Sequence, residues 1–367
     1  MRSTPSPHAP APDEAVPAPV ATPAPEASLA FARRILPRVS RTFALSIRLL
    51  PGSLGTAVLS AYLLCRIADT IEDDHAASVE RKAELLETLL AALDDPAVAD
   101  ALAAAAPELV AGDQAHVELV AGAAHVAAVY GSLPERSRLR VRHWVAEMVH
   151  GMEKFVRLYP DGIRIRTLAE YKEYCYYVAG TVGHLLTDLW HEHTRSIGVA
   201  EYRALWRKCR AFGEALQTVN ILKDIAWDVR HENAIYVPEQ SLREHGSSHG
   251  TLLSPAHVAQ NHAAISELID LAWRDLDQAL DYFVTLPRRA VSVRAFCLLP
   301  LLFAYATLRD LTGSRAMLRE GGTVKISRAE VRSLMVAGLL LVGSNRAIRW
   351  LAARVRRRPF VLVPRAA

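Results

Sequence analysis

The stretch AYLLCRIADTIEDDHA, residues 61–76, runs an apolar helical pattern straight into the acids Asp69, Glu72, Asp73 and Asp74. On a helix, positions i, i+3 and i+4 share a face, so Asp69, Glu72 and Asp73 project together. Like charges so placed repel by roughly 0.2–0.5 kcal/mol per pair, a cost that folding alone does not explain. The pattern returns in LQTVNILKDIAWDVR, residues 216–230, where Asp224 and Asp228 again stand four apart among apolar Leu216, Val219, Ile221, Leu222 and Ile225. Two such ladders facing one another across a helical bundle make a cage of oxygen ligands. Hard oxygen donors suit Mg²⁺, which keeps several waters and is held by a few carboxylates plus substrate phosphates. The His and Cys spacing that Zn²⁺ wants is missing. Asp74, which the ladder does not need, reads as ordinary surface.

Around these helices the chain is rich in further helical pattern. With 51% hydrophobic and 22% charged residues over 367 positions it can bury a large core. Apolar residues recur at helical spacing in RKAELLETLLAALDD (81–95), HVELVAGAAHVAAVYGSL (116–133) and SELIDLAWRDLDQALDYFVTL (266–286), and strand signals are nearly absent. The reading is an all-α bundle around an apolar cavity. A magnesium cage in such a bundle suits a diphosphate head on a long apolar tail, with the walls shielding a carbocation from water.

Three divisions follow. Residues 1–27, Pro/Ala-rich and without a basic segment leading an apolar core, read as a flexible tail and not a signal peptide. Residues 28–342 form the helical domain. Residues 343–367 carry seven arginines and no acid, whereas the whole chain is only +4, too little to argue for nucleic acid. The apolar run LMVAGLLLVG (334–343) has ten residues where a membrane span needs about 20, which predicts a buried helix. A basic amphipathic helix then follows, with Ile348, Trp350, Leu351 and Val355 available to a lipid surface. Four scattered cysteines without a CxxC pair fit a reducing cytoplasm, so the expected placement is cytoplasmic and peripheral on the inner face of the membrane.

Four blocks in order, SRTFALSIRLLP (40–51), AYLLCRIADTIEDD (61–74), YCYYVAGTVG (174–183) and GEALQTVNILKDIAWD (213–228), resemble the squalene/phytoene synthase family of head-to-head prenyl transferases. RAFCLLPLLFAYATL (294–308) and GGTVKISRAEV (321–331) resemble its squalene synthase branch in particular. The resemblance implies an isoprenoid-synthase-type bundle in which Asp69, Glu72, Asp73, Asp224 and Asp228 bind Mg²⁺. Ser40, Arg41, Thr42, Phe43, Arg66, Val182, Gln217, Asn220 and Phe296 would bind substrate, the arginines taking the diphosphate. Tyr174, Tyr62 and Arg66 would act in catalysis, and Asn220, Lys223 and Lys325 would hold NADPH. The implied reaction joins two farnesyl diphosphates through presqualene diphosphate and reduces the product to squalene. Phytoene and dehydrosqualene synthases, which need no reductant, are the rivals within the class, and a non-catalytic, membrane-associated protein of the same fold is the rival outside it. Three departures stand out: Trp227 where an acid often precedes the last Asp, VRHENAIYVPEQ without the usual glycine, so that Arg230 or His231 would close that loop, and Ser327 at a position that is often basic.

Overall fold

The computed structural model describes residues 24–109 and 114–362, and among these no strand occurs. The first helix, Pro25–Val39, opens on a proline, whose fixed φ suits the first turn of a helix, so residues 25–27 of the expected tail are helical and residues 1–23 lie outside the described residues. The segment HVELVAGAAHVAAVYGSL forms two helices, Gln114–Ala121 and Ala123–Gly131, broken at Gly122. Val258–Thr285 is continuous, as its periodicity predicts.

One hydrophobic cluster runs from Phe31 to Val355. Two of its helices, Gly52–Glu72 and Val291–Thr312, are long and apolar enough to cross a membrane, but 67% and 78% of their most apolar windows are buried in the bundle, which makes them core helices. The second acidic helix, Cys209–Trp227, packs against Val258–Thr285, Val291–Thr312 and Thr181–His193. It approaches the last of these closely because Gly213 has no side chain: a Cβ there would lie 2.0 Å from the Ala179 carbonyl oxygen.

The C-terminal segment departs from expectation. Helix Asn345–Arg357 buries Ile348, Leu351 and Val355 completely against the Val291–Thr312 helix, so three of the four residues assigned to lipid are core. Burial of each such side chain is worth roughly 1.5–3 kcal/mol, more than enough to dock a short helix. Trp350 alone of the four faces outward, 59% exposed. The preceding helix, Arg328–Leu341, is buried on one side only: Val336, Leu339 and Leu340 are exposed, against the expectation of a buried helix.

Two buried arginines fasten this end. Arg294 donates to the backbone oxygens of Val342 (2.8 Å), Leu286 (2.7 Å) and Phe283 (3.3 Å) and to Oδ1 of Asn345 (2.7 Å), and stacks over the Phe283 ring. Arg309 forks onto both Glu330 oxygens at 2.7 and 3.0 Å. The four cysteines are free, and Cys175, Cys209 and Cys297 are buried.

Candidate active site

The first ladder occupies the last turn of helix Gly52–Glu72, with Asp73 as its C-cap. A helix C-terminus carries partial negative charge, so acids here are doubly disfavoured. Burial pushes the Asp69 carboxyl above its ordinary range, with Arg66 pulling the other way. Glu72 is pushed up to about 8 by burial and then by the Asp69 charge. Asp73 rises well above its usual value through burial and the charge of Glu232. Arg66 Nη1 lies 3.4 Å from Asp69 Oδ2, and its Nη2 donates to the Tyr62 hydroxyl at 3.4 Å. Burial alone would ease its proton off, but Tyr62 and Asp69 hold it more firmly charged than a free arginine.

Asp74 corrects the surface assignment. It is fully buried, and its Oδ1 accepts the N–H groups of Ala76 (2.9 Å) and Ala77 (2.8 Å), fixing the turn that leaves the ladder. Such an Asx-type turn is a local device that helical spacing does not reveal.

The second ladder begins on helix Cys209–Trp227 and ends in a wider π-helical turn, Asp228–Glu232. Asp224 pairs with Lys223 (2.9 Å). Asp228 is buried and pushed up to about 9 by burial, then by the charges of Glu232 and Asp224. Gln217 is half-buried and Asn220 exposed. Arg230 reaches toward Glu320 (3.6 Å), and His231 stacks on exposed Trp227 (3.8 Å between centroids); both are exposed, and neither faces the acids. The side chain of this turn that does face them is Glu232, absent from the expected set. Its carboxyl is raised by burial and by the charges of Asp224 and Asp69.

Tyr174 is buried and donates to the Tyr236 hydroxyl at 3.2 Å. Burial, with the Glu72 charge next, pushes the Tyr174 phenol well above its ordinary value, and Tyr236 shares that environment. A second π-helical turn, Tyr176–Gly180, follows the tyrosine helix Leu168–Cys175. Short π turns reset which residues face a site, and here one follows the catalytic candidate while the other carries an acid. Tyr236 and Glu232 both escaped the sequence reading. YVP after the acids was the available signal for Tyr236, but nothing in a 3.6-residue period places Glu232 inward.

The apolar candidates come together. Phe43 lies 5.5 Å from Tyr62 and 6.4 Å from Phe296, and Phe296 meets Trp190 edge-on at 5.3 Å, all between centroids. Val182 is half-buried against the same core. Ser40 is committed otherwise: its Oγ accepts the Phe43 N–H at 3.2 Å, capping helix Arg41–Ile47, so it holds Phe43 in position. Thr42 is half-buried in that first turn, and the Arg41 side chain lies outside the described residues. Lys325 is exposed on the segment before Ser327, whose hydroxyl caps the next helix.

The donor set suits a hard divalent cation. It is all carboxylate oxygen, and Glu72 Oε1 is buried with no hydrogen-bond partner, as is Arg66 Nε, an orphan acceptor and an orphan donor at the same ladder. Buried polar atoms are left unpaired at a cost of about 1–3 kcal/mol each unless something else takes them up. Among the described residues no three acids or histidines converge tightly enough to enclose an ion by themselves. That agrees with Mg²⁺ held from two sides, its remaining positions going to water and phosphate.

Comparison with known proteins fits this geometry. The sequence profile described as squalene/phytoene synthase matches residues 36–330, and the chain belongs to that family. It is a prenyltransferase of the head-to-head class. Among curated proteins it is 26% identical to squalene synthase 1 of Arabidopsis thaliana over 306 residues, covering 83% of this chain and 70% of that protein. With the squalene synthase of Bos taurus it shares 27% identity over 312 residues, 84% of this chain and 69% of the other. A solved complex of TcSQS with the ligand BPH1237 has the same fold (TM-score 0.77, 24% identity, 93% of this chain and 94% of that one). A dehydrosqualene synthase complex shares it more loosely (TM-score 0.55, 19% identity, 91% and 96%).

Proposed function

We propose that this prenyltransferase condenses two farnesyl diphosphates head to head (1′-1) through presqualene diphosphate to squalene, with Mg²⁺ in the acidic cage and NADPH as reductant. The observation that carries this reading is the set of buried, uncompensated carboxyls around the orphaned Glu72 Oε1, set beside an aromatic wall. Asp69, Glu72, Asp73, Asp224 and Asp228 would hold Mg²⁺, which when bound neutralises the charge that builds on a departing diphosphate. Arg66 has its Nε–H free for a diphosphate oxygen and its other nitrogens engaged by Asp69 and Tyr62, so it arrives pre-oriented. Gln217 and Asn220 offer neutral donors on the approach to Asp224.

Phe43, Tyr62, Val182 and Phe296 wall the allylic cation from water and present ring faces to its charge. Tyr174 has two assignable roles, proton removal and cation steering. Its phenol is held neutral by its surroundings, which supports steering, with Tyr236 fixing the direction of the hydroxyl. Asn220, Lys223 and Lys325 are assigned to NADPH, the source of hydride for the second half-reaction. Purified protein with Mg²⁺ and either farnesyl or geranylgeranyl diphosphate, with and without NADPH, tests the whole reading. Squalene from the C15 substrate only when NADPH is present is the expected product; phytoene from the C20 substrate without reductant overturns it.

The site's apolar product also needs an exit, and the outer face of the C-terminal helices supports a peripheral site on an anionic membrane. Trp350 lies on one helix face with Arg346 and Arg357, both exposed, beside the exposed Val336, Leu339 and Leu340 of the preceding helix. Vesicles of mixed phosphatidylserine and phosphatidylcholine should pull the protein down in co-sedimentation. Leu340→Glu combined with Trp350→Glu should remove that binding, because neither side chain supports the core. Equal sedimentation of the double variant, or equal binding to pure phosphatidylcholine, would count against a membrane face here.

A further inference from the structure

We propose that Glu232 is a sixth carboxylate of the cation site and the residue that joins the two ladders into one cage. The proposal rests on the reading of the cage as a divalent-cation site and adds a ligand that the two aspartate-rich motifs do not contain.

Position supports it first. Glu232 ends the π-helical turn that starts at Asp228, and the chain reverses immediately afterwards at Asn233, which adopts a left-handed φ of 51°. The reversal is clamped from outside the site. Arg164 donates to the Asn233 backbone oxygen and side-chain oxygen, Asn233 Nδ2 donates to the Asp161 oxygen at 2.9 Å, and Ala234 N–H returns to the Asp228 oxygen at 3.1 Å. Gly162, at φ 98°, makes room for this: a Cβ there would sit 2.2 Å from the Asn233 oxygen. Arg164 and Ile235 form a β-bridge that ties the two segments. The only lateral freedom left to the turn is inward.

Electrostatics supports it next. Among charges, Glu232 is the largest influence on Asp73, in the first ladder, and on Asp228, in the second, while it feels Asp224 and Asp69 in return. Glu232 also lines, with Glu72 and Asp73, a cavity of about 330 Å³. The orphaned Glu72 Oε1 belongs to that same group. The cation near Glu232 is Arg66, already committed to Asp69. Trp227, where relatives often carry an acid, interacts with the Glu232 side chain and favours its ionised form. The acid missing at position 227 is thus replaced by one five residues on, brought back by the wider turn.

The test uses Mn²⁺ as probe, with inorganic pyrophosphate, on the full chain. The electron-paramagnetic-resonance signal of free Mn²⁺ counts bound ions. Glu232→Gln should weaken Mn²⁺ at least tenfold or lose one equivalent, the scale found when a residue supporting a metal site is removed. Without metal, the same variant should melt higher than wild type, since one like charge is gone, and should gain less on adding Mn²⁺. Glu232→Asp, which keeps the charge on a shorter arm, should lose affinity by a smaller factor. Unchanged affinity and stoichiometry in Glu232→Gln overturns the proposal. Failure of wild type itself to bind Mn²⁺ with pyrophosphate overturns the cation-site reading on which it stands.

Discussion

Asp224→Asn and Asp69→Asn should each lower turnover on the order of a hundredfold or more, the scale of losing one preorganised electrostatic contact, while leaving the far-ultraviolet spectrum unchanged. Asparagine keeps the shape and hydrogen-bonding oxygen of aspartate but removes the charge that draws a divalent ion. The direction of the stability change separates this from simple damage. Asp69 sits among Glu72, Asp73 and Glu232, all pushed toward protonation by burial and mutual repulsion, so neutralising it should hold or raise the melting temperature of the metal-free protein. Activity lost without stability lost is the expected signature. Full activity in either variant means that the ladder does not hold the catalytic cation.

Arg294→Met should be the most destabilising single change outside the site. The guanidinium is fully buried, and its loss strands the backbone oxygens of Val342, Leu286 and Phe283. At roughly 1 kcal/mol or more for each orphaned acceptor, the expected loss is at least about 3 kcal/mol. Methionine fills much of the volume, so the effect isolates the hydrogen bonds from a cavity. Urea unfolding followed by circular dichroism checks it, and a loss under about 1 kcal/mol would show that the carbonyls find other donors. Because Val342 and Asn345 border the C-terminal helix, the variant should also expose that helix to protease first.

Much of this was legible in the chain itself, for a physical reason. Helical periodicity exposes any residue set whose function depends on sharing a face, so Asp69, Glu72 and Asp73 announced themselves, as did Asp224 and Asp228. The aromatic wall was reached through resemblance: Phe43, Tyr62 and Phe296 are far apart in sequence, and only packing brings their rings within 5.5–6.4 Å. The failures share a cause as well. Asp74 was misplaced because its partners are backbone N–H groups two and three residues on, a turn with no helical period. Glu232 was missed because a π turn shifts the phase on which the reading depends. The amphipathic pattern of Asn345–Arg357 was seen correctly, but periodicity says that an apolar face will be covered and not by what; here the bundle covers it.

The close approach of Gly162 to Asn233 has a bearing on how relatives of this chain are compared. Gly162 is far from every acid in sequence and carries no chemistry, yet any side chain there would collide with the strap that turns Glu232 inward. A homologue could keep all six carboxylates, lose this one hydrogen-only position, and have its cage sprung open. Inventories that count acidic motifs would score such a chain as intact. The more discriminating marker of a competent member is the pairing of a glycine in the loop after one helix with an asparagine after the other, a mechanical requirement written in two residues that never touch the substrate.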